Sequence, residues 1–281
     1  MARNIRPLAT RKLCSFIILT MHSTDKHNPL KAVLFDVDGT LADTEQDGHR
    51  PAFNAAFQEF GLSWHWDIPL YGRLLQITGG KERIRFYIEQ HAPKALNRTD
   101  LDEWIASLHK TKTRHFKKLM EQGDIPLRPG VKRLIHELRS KNIKIAIATT
   151  TTPENVTYLL QSVLGKDSID LFDVIGAGDI VPMKKPAPDI YFWVLEKLKL
   201  APSQCIAIED SENGLLAALA ADLPTLITVN NYTRQQNFNG ALAVLSDLGE
   251  PEQNFTQISD NPQLVDKHWI DAETLQQLIK T

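Results

Sequence analysis

The chain is poor in cysteine, in net charge and in long apolar runs. Its 281 residues include two cysteines, Cys14 and Cys205, far apart in sequence. That excludes a disulfide framework and fits a reducing compartment. The formal net charge is −2, too small to mark a nucleic-acid or membrane surface. No apolar run approaches the roughly 20 residues needed to span a bilayer. The nine histidines are scattered and nowhere take a metal-ligand spacing. No internal repeat or extended low-complexity segment is present. What remains is a globular chain of one or two domains, large enough to bury a proper core. Its expected partner is a small molecule rather than nucleic acid or membrane. We expect a monomer in the cytoplasm, with organelle import through the basic N-terminal segment left open.

That segment, residues 1–29, carries Arg3, Arg6, Arg11 and Lys12 ahead of a short apolar patch, Leu13 to Thr20. The patch is short and no Ala-x-Ala cleavage site follows it. Met21 offers a plainer account: a start at that position, with the upstream residues untranslated or disordered. We therefore leave residues 1–29 out of the fold.

What is present is organised around Lys31-Ala-Val-Leu-Phe-Asp36-Val-Asp38-Gly39-Thr40. The apolar part predicts a strand buried on both faces, as in a parallel sheet. Side chains two apart on a strand point the same way, so Asp36 and Asp38 can face one site. Two adjacent carboxylates repel unless a cation, a proton or strong donors join them. The pair therefore calls for a positive partner elsewhere in the chain.

After this strand, helical patterns run without a second strand: Arg50 to Phe60, Asp67 to Ile77, Lys81 to Gln90, and a longer one with Leu101, Trp104, Ile105, Leu108, Phe116 and Leu119 on one side. An ordinary crossover is much shorter, so residues 46–124 are expected to form a helical domain of their own. Strand and helix then alternate. Strands are predicted at Ile143 to Ala148, Phe172 to Ile175, Cys205 to Ile208, Thr225 to Val229 and Leu242 to Leu245. Thr152-Pro153 is placed to cap a helix. This alternation predicts an α/β fold: a doubly wound, mainly parallel Rossmann-like sheet built from residues 30–45 and 125–249, with the all-α segment inserted as a cap. Residues 250–281 are more polar, with one helix from Asp271 to Lys280, and are expected to be an appended tail.

In such a sheet the carboxyl ends of the strands share one edge. That edge would collect Asp36 and Asp38, Thr149, Lys185 from a loop ahead of a helix, and Glu209 with Asp210. Carboxylates without His or Cys make an oxygen-rich site suited to Mg²⁺. A lysine and hydroxyls beside it suit phosphate oxygens. Each part also has a plain reading: a β-favouring Thr run, a solvated loop lysine as expected for Lys184, and acids near a helix N-terminus. Together and in this order they point to phosphoryl transfer onto an aspartate. Asp36 is the expected nucleophile, Asp38 the acid and base, Thr149 and Lys185 the phosphate ligands, and Asp36, Asp38, Glu209 and Asp210 the metal site.

The set D36-V-D38-G-T, T149, K185-P-A-P-D and E209-D210 resembles the four motifs of the haloacid dehalogenase superfamily, over roughly Lys31 to Val229. The resemblance implies a helical cap after the first motif and a metal ligand from the Asp38 backbone carbonyl. The A-T149-T-T-T run followed by P-E-N, G79-G-K-E-R83-I and K184-K-P-A-P-D-I-Y resemble the CbbY-type phosphatases, which remove a phosphate from xylulose 1,5-bisphosphate. Gly79 and Gly80 would let the backbone approach a ligand, and Lys81 with Arg83 would clamp a second, non-reacting phosphate. A Gly-Gly turn before a charged helix is the plainer reading. Thr150 and Thr151 join the expected substrate contacts, and the resemblance adds Glu45 and Tyr71 as groups facing the sugar. The segment Glu45-Gln-Asp-Gly-His49-Arg is one residue longer than the commoner pattern, so roles near His49 do not transfer. His49 itself is expected at the surface or at the cap hinge. A sugar phosphomutase of the β-phosphoglucomutase type shares the same motifs and is the alternative activity. A receiver-type signalling module uses similar groups but lacks the helical insertion.

Overall fold

A computed structural model describes residues 30–123 and 125–280. The expectations for residues 1–29, including a start at Met21, fall outside the described residues. Six strands make one parallel sheet: β1 (Ala32–Phe35), β2 (Lys144–Ala148), β3 (Val174–Gly176), β4 (Cys205–Glu209), β5 (Thr225–Thr228) and β6 (Ala243–Leu245). Their order is β3-β2-β1-β4-β5-β6. Chain direction across the sheet reverses between β1 and β4, so a crevice opens there at the carboxyl ends. Val33 is in register with Ile145 on one side and Ile206 on the other.

The period of two along each strand sorts the two faces. Val33, Phe35, Ile145, Ile147, Ile206 and Ile208 join one core, while Ala32, Leu34, Ala146, Ala148, Cys205 and Ala207 join the other. Large side chains on the first face meet α5 (Val131–Ser140) and α6 (Pro153–Leu164). Small ones on the second let α7 (Asp189–Leu198) and α8 (Glu212–Ala220) approach closely. The expected cap at Thr152 is present, its side chain accepting from the Asn155 N–H.

The inserted helices are α1 (Arg50–Glu59), α2 (Ile68–Leu74), α3 (Gly80–His91) and α4 (Leu101–Gln122). They share a core of Phe53, Phe57, Trp66, Tyr71, Ile84, Ile88, Ile105 and Leu108. Trp66 packs against Phe53, tilted at a ring-centroid distance of 4.6 Å, and edge-on against Phe57 at 4.8 Å. The chain enters this bundle through a single π-helical turn, Glu45–His49. That turn coincides with the segment expected to be one residue longer than the commoner pattern. A π turn holds one more residue than an α turn, and such turns gather at functional sites. On the return to the sheet Arg128 is buried, and its guanidinium donates to the carbonyls of Gly39, Thr228, Val229 and Ser246. It thereby ties the loop after β1 to the ends of β5 and β6.

The polar stretch from residue 250 is not an appendage. Phe255, Leu264, Ile270, Leu275 and Leu278 belong to the main core, and α9 (Ala272–Leu278) packs on α5. Arg133 of α5 bonds Glu250 at 3.0 Å and the Ile270 carbonyl at 3.0 Å. The composition misled because a few apolar residues, widely spaced among polar ones, make all the contact. Leu275 is fully buried, so Leu275→Ala should cost about 2–5 kcal/mol by lost transfer energy and cavity. Urea unfolding followed by circular dichroism would measure it, and an unchanged midpoint would mean the segment is peripheral after all.

Candidate active site

Lys185 sets the geometry at the carboxyl edge. Its ammonium donates to Asp36 Oδ1 at 2.7 Å, Glu209 Oε1 at 2.5 Å and the Ala148 carbonyl at 2.8 Å. A lysine has three protons to give, so this one is fully used. Burial by itself would lower the Lys185 pKa, but the carboxylates of Asp36 and Glu209 more than reverse that and hold it above the usual lysine range. Burial pushes Asp36 up to about 7; Lys185 opposes this, while Glu209 and Asp38 add to it. Asp210 is likewise raised, by burial and then by Asp36 and Glu209. Three acids thus crowd against one cation, which leaves the cluster short of positive charge.

Ligand oxygens of Asp36, Glu209 and Asp210 lie within 4.8 Å of one another. Glu209 Oε2 is buried with no hydrogen-bond partner among the described residues, and Asp210 Oδ2 accepts from Asn230 at 2.6 Å. An orphaned buried oxygen within an all-carboxylate cluster fits a hard divalent cation.

Asp38 is treated differently from Asp36. Its Oδ1 accepts from Thr44 Oγ1 at 2.6 Å and sits 2.7 Å from His49 Nε2. His49 Nδ1 in turn lies 2.8 Å from Lys112 Nζ. The ammonium can only donate, so Nδ1 is taken as the acceptor and Nε2–H as the donor to Asp38. Burial works against ionisation of Asp38, but the charge and hydrogen bond of His49 and the bond from Thr44 hold its carboxyl below the usual range. Burial pushes Lys112 down to about 8, against the pull of Asp38 and Glu45.

His49 is therefore not a surface residue. It is buried at the end of the π turn, so the hinge half of the expectation stands and the surface half does not. Lys112 was missed altogether, although a signal existed. It occupies the apolar stripe Leu108, Lys112, Phe116, Met120 of α4, where a lysine has no reason to sit unless it has a partner. Lys184, expected to be solvated, is also engaged: its ammonium bonds Glu82 at 2.6 Å and Asp179 at 3.0 Å.

Asp36, Asp38, Thr149, Thr150, Lys185 and Asp210 line one cavity of about 230 Å³ beneath the cap. It shares Asp38, Glu45, Arg83 and Thr150 with a second cavity of about 750 Å³, which also meets Gly79, Gly80, Lys81, Thr151, His109, Lys112 and Lys184. Tyr71 lines neither cavity. It is fully buried, and its hydroxyl donates to Glu45 at 2.5 Å and accepts from Arg83 at 2.9 Å. Arg83 also donates from Nε to the Leu74 carbonyl at 3.2 Å, and it borders both cavities. Lys81 lies at the cavity mouth, 2.5 Å from Asp179 of the sheet domain. Gly80 lines the larger cavity, and the His109 ring packs where a Cβ would stand. Burial, with Lys112 and Lys81 nearby, pushes His109 down to about 3, so it is a neutral polar group among cations.

An acid at the end of β1, a buried lysine, a cation-fitting acid cluster and a helical cap over the crevice together fit the site of a hydrolase. The chain belongs to the haloacid dehalogenase-like hydrolases, whose family model matches residues 30–222. It is similar to protein CbbY of Cupriavidus necator, with 49% identity over 228 residues, covering 81% of this chain and 89% of the relative. It is also similar to two crystal structures of CbbY from Rhodobacter sphaeroides, at 44% identity, covering 78% of this chain and 94% of each. One of these holds phosphate, with a TM-score of 0.72. The other is a point mutant in complex with xylulose 1,5-bisphosphate, with a TM-score of 0.73. The chain is thus a CbbY-like phosphatase by family, and among the described residues no helix is long and apolar enough to cross a membrane.

An acid whose pKa is higher folded than unfolded binds more protons when folded. Its contribution is full below about pH 4 and is lost as pH rises toward the folded value. For Asp36 that window runs from 3.8 to about 7. In a chelator, stability should therefore fall from pH 5 to pH 8, and Asp36→Asn should flatten the fall and be more stable than wild type at pH 8. Urea midpoints across pH would check this. Parallel curves for the two proteins would refute the raised Asp36 pKa.

Proposed function

We propose that this protein removes one phosphate from a sugar bisphosphate, xylulose 1,5-bisphosphate or a close analogue, through an aspartyl-phosphate on Asp36. The observation that carries the reading is a cationic cavity that shares Asp38, Glu45, Arg83 and Thr150 with the smaller cavity of the Asp36–Lys185 pair. Lys81, Arg83, Lys112 and Lys184 line the larger, cationic cavity, more positive charge than a single phosphate needs. The bisphosphate complex of the CbbY relative supports the same substrate class.

Asp36 Oδ1 is held by Lys185, so the attacking oxygen is Oδ2. As the Oδ2–P bond forms, the bond from phosphorus to the sugar oxygen breaks, and that oxygen takes a proton from Asp38. The negative charge of the arriving phosphate favours a proton on Asp38 despite its partners. In the second half the ionised Asp38, oriented by Thr44 and His49, takes a proton from water. The water oxygen attacks phosphorus, and Asp36 leaves as carboxylate. Thr149, which lines the smaller cavity, would hold the phosphate oxygens through both halves, and Lys185 would join it by giving up one of its three present acceptors. Asp36, Glu209, Asp210 and the Asp38 carbonyl would hold Mg²⁺, which would supply charge neutralisation and polarise the phosphate. Lys81 and Thr151 would receive the second phosphate, Lys81 exchanging Asp179 for it, while Glu45 would face the sugar. Tyr71 acts behind Glu45 and Arg83. A small soluble substrate and a reducing, cytoplasmic setting accord with the free, buried Cys205.

A phosphate-release assay over sugar mono- and bisphosphates tests the reading. Xylulose 1,5-bisphosphate should be hydrolysed best, and Asp36→Asn should abolish turnover. Lys81→Ala should cost roughly tenfold or more in kcat/KM on the bisphosphate, the worth of a charge-assisted hydrogen bond. It should have little effect on p-nitrophenyl phosphate. Equal losses on both would remove Lys81 from the second phosphate, and an isomer without free phosphate would point to the mutase.

A further inference from the structure

The reaction above makes no use of Tyr191, yet this residue touches the centre of the site. It lies in α7, beyond the loop that carries Lys185, and is fully buried. Its hydroxyl donates to Glu209 Oε1, the oxygen that also receives Lys185 at 2.5 Å. Its ring lies 5.2 Å from the Lys185 ammonium. A buried tyrosine hydroxyl requires a partner, but nothing requires that partner to be a charged group in an acid cluster. The pairing leaves the two Glu209 oxygens unequal. Oε1 has two donors and Oε2 has none.

With Lys185 alone, the carboxylate could turn about its terminal bond and offer either oxygen to the ammonium. Two donors converging on Oε1 from different directions oppose that rotation. Gly214, near the start of α8, leaves the room that Glu209 Oε2 occupies, since a Cβ there would overlap it. The carboxylate is thus fixed in the plane that keeps one buried oxygen uncommitted. We propose that Tyr191 is a positioning residue: its hydroxyl presets Glu209 so that Oε2 stays available to a divalent cation, and it keeps Lys185 shared between Asp36 and Glu209. This inference rests on the cation site proposed above.

The test is a calorimetric titration of Mg²⁺ into the wild-type chain and into Tyr191→Phe, with thermal melts of each in chelator and in saturating Mg²⁺. Loss of a partner to a ligand group typically weakens metal binding 10–100-fold, and that is the expected rise in the Mg²⁺ dissociation constant. The Mg²⁺-induced rise in Tm should shrink in the variant. If Tyr191→Phe melts lower in chelator but gains as much from Mg²⁺ as wild type, the hydroxyl is structural only and the inference is overturned. An unchanged dissociation constant overturns it as well. A wild-type chain that binds no Mg²⁺ while releasing phosphate without it would sink the cation site itself, a different result from either.

Discussion

One buried ammonium holds the active edge together. Lys185 reaches the end of β1 through Asp36, the end of β2 through Ala148 and the end of β4 through Glu209, three neighbouring strands of the sheet. A buried charge is costly unless it is paired and fully hydrogen-bonded, and here the pairing is also the site. Removing any acceptor would leave an uncompensated charge beneath the cavity. The crowding that raises Asp36 and Asp210 follows from the same arrangement: three acids share one lysine, and the shortfall is what a cation would make good.

The cap is joined to this edge by charge as well as by chain. Lys112 on α4 supports His49, which supports Asp38, so the helical domain orients a carboxylate of the sheet domain. At the cavity mouth Lys81 and Glu82 of the cap meet Asp179 and Lys184 of the sheet domain. On the other flank Asn213 donates to Thr78 at 3.1 Å. These are short polar contacts between side chains of the two domains. Exposed ion pairs are individually worth little. That suits a lid that must admit a substrate and release two products.

Much of this was legible in the sequence because its signals are local. The run Ala32 to Asp38 announces a buried strand and an acid pair. Lys185, Glu209 and Asp210 each sit where an alternating pattern ends. Side-chain commitments were not legible. Tyr71, expected to face the sugar, lies behind the cavity instead, bonded to Glu45 and Arg83, because residues close in a helical bundle compete for one another. Lys184 looked solvated for want of a visible partner, and its partners lie far along the chain. The tail deceived composition because burial depends on where a few leucines point, not on how many polar residues flank them.

The π turn at Glu45–His49 has a bearing on how the hinge tolerates change in chain length. Each residue added to an α-helix turns everything beyond it by about 100°, which would swing the cap's apolar face off its core. A single wide turn confines the added residue to a local bulge. Phe53 and Phe57 keep their packing on Trp66, while His49 still reaches Asp38. The joint between the two halves is thus the place where an inserted residue can be absorbed, so descent can vary its length without redesigning either half.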